Sequence, residues 1–289
     1  MVHATASSRR REPLAAKVPE ITFLFWVIKL LTTAGGEAAS DYLALHGYLL
    51  AGVVEVLIFV IAVWIQFRTR RYVAAAYWFL ALAIAIFGTG AADALHLIVG
   101  IPYGGTTALW AVILAVIFWQ WYRSERTLSI HSITTRRREL YYWAVVFATF
   151  ALGTALGDFT AAVLHLGYLG SAVLFAVVIM IPAIAWRLGG NPVLCFWFAY
   201  VITRPLGASF ADYFSKPQAL SGLNYGDGPV SAVLLVAIAV LVTYTAIARN
   251  DIQQPAVAVA RVRTQADIPA QANGQGRMPA TGPEFPPRY

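Results

Sequence analysis

The sequence predicts an all-α, polytopic membrane bundle of eight transmembrane helices in four parallel two-helix repeats. Three observations predict it. Charged residues make up only 12% of the chain and hydrophobic ones 59%, against about 25% charged in a soluble domain, so lipid must solvate most of the surface. Eight apolar segments follow one another, each close to the ~20 residues that one crossing needs. The spacing W-x9-G-x4-D then occurs four times, on alternate segments.

The elements follow in order. Residues 1–17 form a basic tail with Arg9, Arg10, Arg11 and Lys17, and Pro19 suits the first turn of a helix. The run from Ile21 has the look of a signal peptide, with "TTAGGEAAS" as its cleavage region. Its recurrence three times downstream excludes that reading. The apolar segments lie near 20–41, 47–66, 73–93, 105–122, 139–159, 167–187, 193–213 and 228–248. Pairing them gives repeats over 18–70, 71–127, 137–188 and 191–249. Residues 250–289 are rich in Pro, Gln, Ala and Gly without an amphipathic period and read as a disordered tail.

Charge sets the orientation. Arg68, Arg70 and Arg71, then Arg123, Arg126 and Arg136 to Arg138, then Arg187 occupy the even loops, whereas the odd loops hold only Lys216. Both termini are therefore expected in the cytoplasm of a bacterial cell, with the chain in the inner membrane. The net charge of +7 sits in tails and short loops, which argues against nucleic acid as a partner. The expected partners are the bilayer, a transported cation and further copies of the chain. Cys195 is the only cysteine, so there is no internal disulfide and no thiolate metal cluster.

The repeats align on Trp26, Trp78, Trp143 and Trp197, each followed by Gly36, Gly88, Gly153 or Gly207 and then by Asp41, Asp93, Asp158 or Asp212. Two helices per unit give every copy the same direction, so the repeats are parallel. The glycines are expected to let helices approach closely. The tryptophans are expected to be interfacial anchors or helix–helix contacts.

Residues 3, 7, 11 and 15 after each Trp share one face of a helix. The stripe reads Lys29, Thr33, Glu37, Asp41 in the first copy and Ala81, Ala85, Thr89, Asp93 in the second. It reads Val146, Phe150, Thr154, Asp158 in the third and Tyr200, Arg204, Ala208, Asp212 in the fourth. At ~1.5 Å per residue each Asp lies roughly 22 Å from its Trp, so all four share one depth. A charge there costs at least about 2.5–3.5 kcal/mol and calls for a partner, a cavity or a substrate.

At this point "TTAGGEAASD", "GTALGD" and "TRPLGASFAD" resemble a family of bacterial inner-membrane proteins labelled as repeat-containing, uncharacterised membrane-anchored proteins. The likeness spans about residues 17–250. It implies a multi-pass fold and no settled activity or cofactor.

Two roles compete for the aspartates. Each can cap the following turn, as Asp accepts backbone N–H bonds well. Alternatively Asp41, Asp93, Asp158 and Asp212 converge on the axis with Glu37, Thr89 and Thr154 and bind a cation. Carboxylates and hydroxyls without thiolates favour Mn²⁺, Mg²⁺ or Ca²⁺ over Cu(I). His96 and His165 are candidate nitrogen ligands, and His46 a weaker one. Arg204, before Pro205, is either a tethered counter-ion or a permanent salt-bridge partner; Lys29 is a charge-balancing or proton-coupling candidate, the alternative being that it snorkels to the interface. Glu55, mid-span in the second helix, is a proton-carrier candidate.

The function expected is secondary transport or export of a cation, a hard divalent metal such as Mn or Mg being favoured. The alternative is a membrane-embedded regulatory or scaffold protein without transport. No Ser–His–Asp order, no H-E-x-x-H and no Gly-rich phosphate loop occurs, so no enzyme and no cofactor are expected; an Asp-based intramembrane hydrolase is the weakest reading.

Overall fold

A computed structural model describes residues 16–253; the tail after 253 and most of the basic N-terminal segment lie outside them. Among the described residues the regular structure is entirely helical. The helices are α1 (Phe23–Ala44), α2 (Tyr48–Arg68), α3 (Ala74–Asp93), α4 (Tyr103–Glu125) and α5 (Arg136–Asp158). They continue as α6 (Gly167–Val178), α7 (Met180–Arg187), α8 (Pro192–Ser215) and α9 (Asp227–Ala248).

Local chemistry sets the starts. Thr22 Oγ1 accepts from the Phe25 amide at 3.2 Å, Thr135 Oγ1 from Arg138 at 3.3 Å, and Asn191 Oδ1 from Val193 at 2.9 Å ahead of Pro192. Such side chains satisfy orphan amides of the first turn. Among the described residues seven spans are long and apolar enough to cross a membrane: α2, α3, α4, α5, α6 with α7, α8 and α9. α1 has the same length, but carries Lys29, Glu37 and Asp41. The sixth crossing, expected unbroken over 167–187, is interrupted at Ile179. Pro182 has no amide to offer the carbonyl of Val178, the last residue of α6.

The eight crossings form two layers. α1, α3, α5 and α8 touch in a closed cycle, each packing on the next and α8 returning to α1. α2, α4, α6–α7 and α9 lie outside, with most of their surface exposed, as lipid-facing helices should. The sequence repeat is not the packing unit. Each outer helix packs mainly on the inner helix of the following copy: α2 on α3, α4 on α5, α6 on α8, and α9 back on α1. The copies are interleaved, and the ring closes on itself.

The repeated glycines explain that closeness. A Cβ on Gly36 would collide with Ala85, on Gly88 with Phe150, on Gly153 with Arg204, and on Gly207 with Thr33. Each partner is the residue seven after the Trp of the next copy, so one contact is made four times around the ring.

The tryptophan end is an aromatic plug. Trp78, Trp143 and Trp197 are buried, so the interfacial-anchor reading is wrong for them and the helix-contact reading holds. Trp78 lies 5.6 Å from Phe25, Trp143 5.2 Å from Tyr77, and Trp197 6.1 Å from Tyr142, ring centre to ring centre. The Tyr77 and Tyr142 hydroxyls bond to each other.

Polar bonds seal the same end outside the plug. Lys17 Nζ donates to both Glu139 oxygens at 2.7 Å, and Arg136 Nη1 to Glu139 Oε2 at 3.0 Å. Burial pulls the Lys17 amine below its usual value, against the opposing pull of Glu139. The Glu20 amide donates to the Asp251 carbonyl at 2.8 Å and Tyr72 Oη to Asp251 Oδ2 at 2.6 Å. These bonds tie the last described residues to the first.

Candidate functional site

The inner helices turn their predicted stripes to the axis, where the residues form stacked layers. Lys29, Thr33 and Glu37 of α1 are buried, as are Ala81, Ala85 and Thr89 of α3. So are Val146, Phe150 and Thr154 of α5, and Tyr200, Arg204 and Ala208 of α8. In the aspartate layer Asp41, Asp93 and Asp158 are half-buried, whereas Asp212 is buried.

Nearest the plug, Lys29 is fully buried, its ammonium 4.2 Å from the centre of the Phe150 ring and 4.3 Å from that of Tyr200. It does not snorkel. Its place on the inward stripe aims it down the axis, and the two ring faces supply the negative potential that a cation seeks.

One layer up, Arg204 belongs to a buried network. Its Nη2 donates to Glu37 Oε2 at 2.5 Å, to Thr89 Oγ1 at 2.5 Å and to Thr154 Oγ1 at 2.7 Å. Nη1 reaches the Thr33 carbonyl at 3.3 Å. The two threonine hydroxyls also donate to Glu37 Oε2, at 2.9 and 3.1 Å, so each accepts from the cation and donates to the anion. Four helices thus meet on one ion pair. Of the two roles weighed for Arg204, the geometry is that of a salt-bridge partner, and its partner is Glu37. α8 runs through Pro205 without interruption.

The aspartates are not equivalent. One oxygen each from Glu37, Asp41 and Asp212 lie within 4.8 Å of one another. Asp41 Oδ2 accepts from Lys216 Nζ at 2.6 Å, and Asp227 Oδ1 from the same amine at 3.2 Å. Asp212 is 4% exposed, and among the described residues its Oδ1 has no donor. Asp93 and Asp158 are not members of that trio; they lie half-buried at the ends of α3 and α5.

The capping role finds no support at these two: neither side chain bonds the following turn. Both aspartates lead instead into one turn of π-helix, Ala94–Ile98 and Phe159–Val163. Such turns are uncommon and often found at functional sites. Asp158 lines a cavity of about 270 Å³ with Tyr103, His165, Tyr168 and Ser221.

The remaining candidates fall elsewhere. Glu55 is buried off the axis against Gly90 of α3 and accepts from Ser40 Oγ at 2.6 Å. His96 stacks on Tyr103 with its Nδ1 2.8 Å from the Ile101 carbonyl, and His46 Nδ1 lies 2.9 Å from the Tyr42 carbonyl. His165 lines the cavity mouth.

Sequence reasoning missed Lys216 and Asp227 as site residues. Burial alone would lower the Lys216 amine, but Asp41, Asp212 and Asp227 together raise it above its ordinary value, so it stays an ammonium. The available signal was its isolation as the one basic residue in the odd loops.

Fold and site together define a multi-pass membrane protein of four interleaved copies around a buried acid–base axis. The chain belongs to the family described as Repeat of Unknown Function (DUF347), which matches at residues 24–72, 76–127, 141–189 and 195–251, well over half its length. No curated protein and no solved structure matches it.

Proposed function

We propose that this protein is a secondary transporter or exporter of a cation, a hard divalent ion such as Mn²⁺ or Mg²⁺ being the best fit. The observation that carries the reading is the trio of Glu37, Asp41 and Asp212, each with a carboxylate oxygen within 4.8 Å of the others, together with a buried Asp212 oxygen that has no donor among the described residues. Oxygen donors so grouped are what such cations take. The axis holds more acids than bases. Glu37, the four aspartates and Asp227 stand on or beside it with Lys29, Arg204 and Lys216, a formal excess of three negative charges. Carboxylates so crowded are neutralised by cations or by protons, and exchange of one for the other is the coupling a secondary transporter needs.

In this reading the cation enters past Asp158 and the cavity beside it, and Asp93 and Asp158 hold it before the trio does. Arg204 keeps Glu37 in place, and the aromatic plug is the closed gate beyond. The chain is read as lying in a bacterial inner membrane with both termini inside. A reporter fused near 70, 130 or 190 that scores as external would end that orientation.

A membrane-embedded regulatory or scaffold protein remains the second reading. The four-helix network on Arg204 favours it, because so many bonds resist movement. Proteoliposomes containing the purified protein decide between them. Transport predicts Mn²⁺ flux that is abolished in Asp212→Asn, which still inserts; a scaffold predicts no flux from the wild type.

A further inference from the structure

Of the three basic side chains on or beside the axis, only one has somewhere to go. Lys29 and Arg204 are fully buried. Lys216 follows the last residue of α8, and its side chain is 20% exposed. Its backbone is fixed: the Asn224 amide donates to the Lys216 carbonyl at 2.8 Å, and the Lys216 amide to the Asp212 carbonyl at 2.8 Å. The flexible four-carbon stem is left to move the ammonium. That ammonium sits 2.6 Å from Asp41, a trio member, and 3.2 Å from Asp227, which is not one.

We propose that the Lys216 ammonium is a tethered stand-in for the substrate, holding Asp41 until a divalent cation takes the trio and then swinging toward Asp227 and solvent. The inference rests on the cation site proposed above and adds how that site is kept neutral between loads. A divalent ion on Asp41 and Asp212 would lie within a few ångströms of the ammonium, and like charges so close repel strongly in a medium of low dielectric. Asp227 gives the lysine a second anchor, so the exchange strands no buried charge. A tether that must be displaced weakens apparent affinity by the fraction of molecules in which it is out of the way.

The test uses the full chain in detergent, with Mn²⁺ as the probe. Lys216→Gln should bind Mn²⁺ at least about tenfold more tightly than the wild type by calorimetry, if the tether is seated in nine molecules of ten. In the wild type, Mn²⁺ should speed acetylation of Lys216 by an N-hydroxysuccinimide ester severalfold, read by mass spectrometry. The chain has only two other lysines, Lys17 and Lys29, both buried, and they serve as internal controls.

Tighter binding together with faster labelling supports the tether. Tighter binding with unchanged labelling makes Lys216 only a nearby charge and overturns it, as does unchanged affinity. If neither protein binds Mn²⁺, the divalent-cation reading falls with it. If Lys216→Gln binds tightly and Mn²⁺ speeds the labelling, while wild-type proteoliposomes carry no flux, transport fails and the tether stands.

Discussion

Replacing Glu37 with Gln keeps the size of the side chain and removes the one full negative charge that Arg204 touches. The guanidinium has no solvent to retreat to, since Arg204 is 0% exposed and Glu37 3%. What remains to Nη2 are the Thr89 and Thr154 hydroxyls at 2.5 and 2.7 Å. Breaking one side of a buried pair costs about 3–5 kcal/mol, because it strands the other charge. In a chain this long that is a drop of roughly 6–20 °C in melting temperature. Arg204→Met strands Glu37 and should cost a similar amount. The double variant strands nothing, so it should recover much of the loss, with a coupling of about 2–3 kcal/mol in the cycle. Thermal unfolding of the four proteins in one detergent measures all of it. Additive single losses, with a double variant worse than either, would refute the view that this ion pair is the energetic centre of the bundle.

Gly153→Ala should destabilise by about 1–3 kcal/mol, because its Cβ collides with Arg204 and Pro205. Gly52→Ala on α2 meets nothing within 4 Å and should be neutral or slightly stabilising in the same melts. Asp158→Asn, with no bond to a following turn, should leave the melting temperature within a few degrees while reducing Mn²⁺ flux; a large stability loss at unchanged flux would restore the capping role. Burial and Asp251 raise the Tyr72 phenol above its usual 10.0. Its stabilising share is therefore full below pH 10 and lost as pH rises further, since the unfolded chain ionises first. Melts from pH 8 to 11 should fall less steeply for Tyr72→Phe.

The axis was legible in the sequence because helical period and membrane chemistry act on the same residues. Thr33, Glu37, Thr89, Thr154 and Arg204 share a stripe, and lipid leaves polar side chains nowhere to face but inward. The length of each crossing was legible for a similar reason, but the break in the sixth, where Pro182 withholds an amide from Val178, was not anticipated. The pairing of copies was not. Short loops make consecutive helices neighbours in sequence, yet the Gly-to-next-copy contact and the lean of each outer helix are set by packing across the ring. Lys29 was misjudged because distance to the interface was weighed without the Phe150 and Tyr200 faces beside it. Lys216 and Asp227 lie outside the repeated stripe, so no periodicity could bring them to Asp41.

The closed cycle of α1, α3, α5 and α8 bears on what one long chain gains over four short ones. A homotetramer of identical hairpins would have the same interleaved ring, but symmetry would force four copies of any residue onto the axis. Four arginines in one layer would repel one another, as would four glutamates in the next. Carrying all four hairpins on one polypeptide lets a single Arg204 face a single Glu37, with Thr89 and Thr154 at the positions equivalent to Glu37 in the second and third copies. Separately expressed hairpins carrying those differences should therefore reassemble in one cyclic order only.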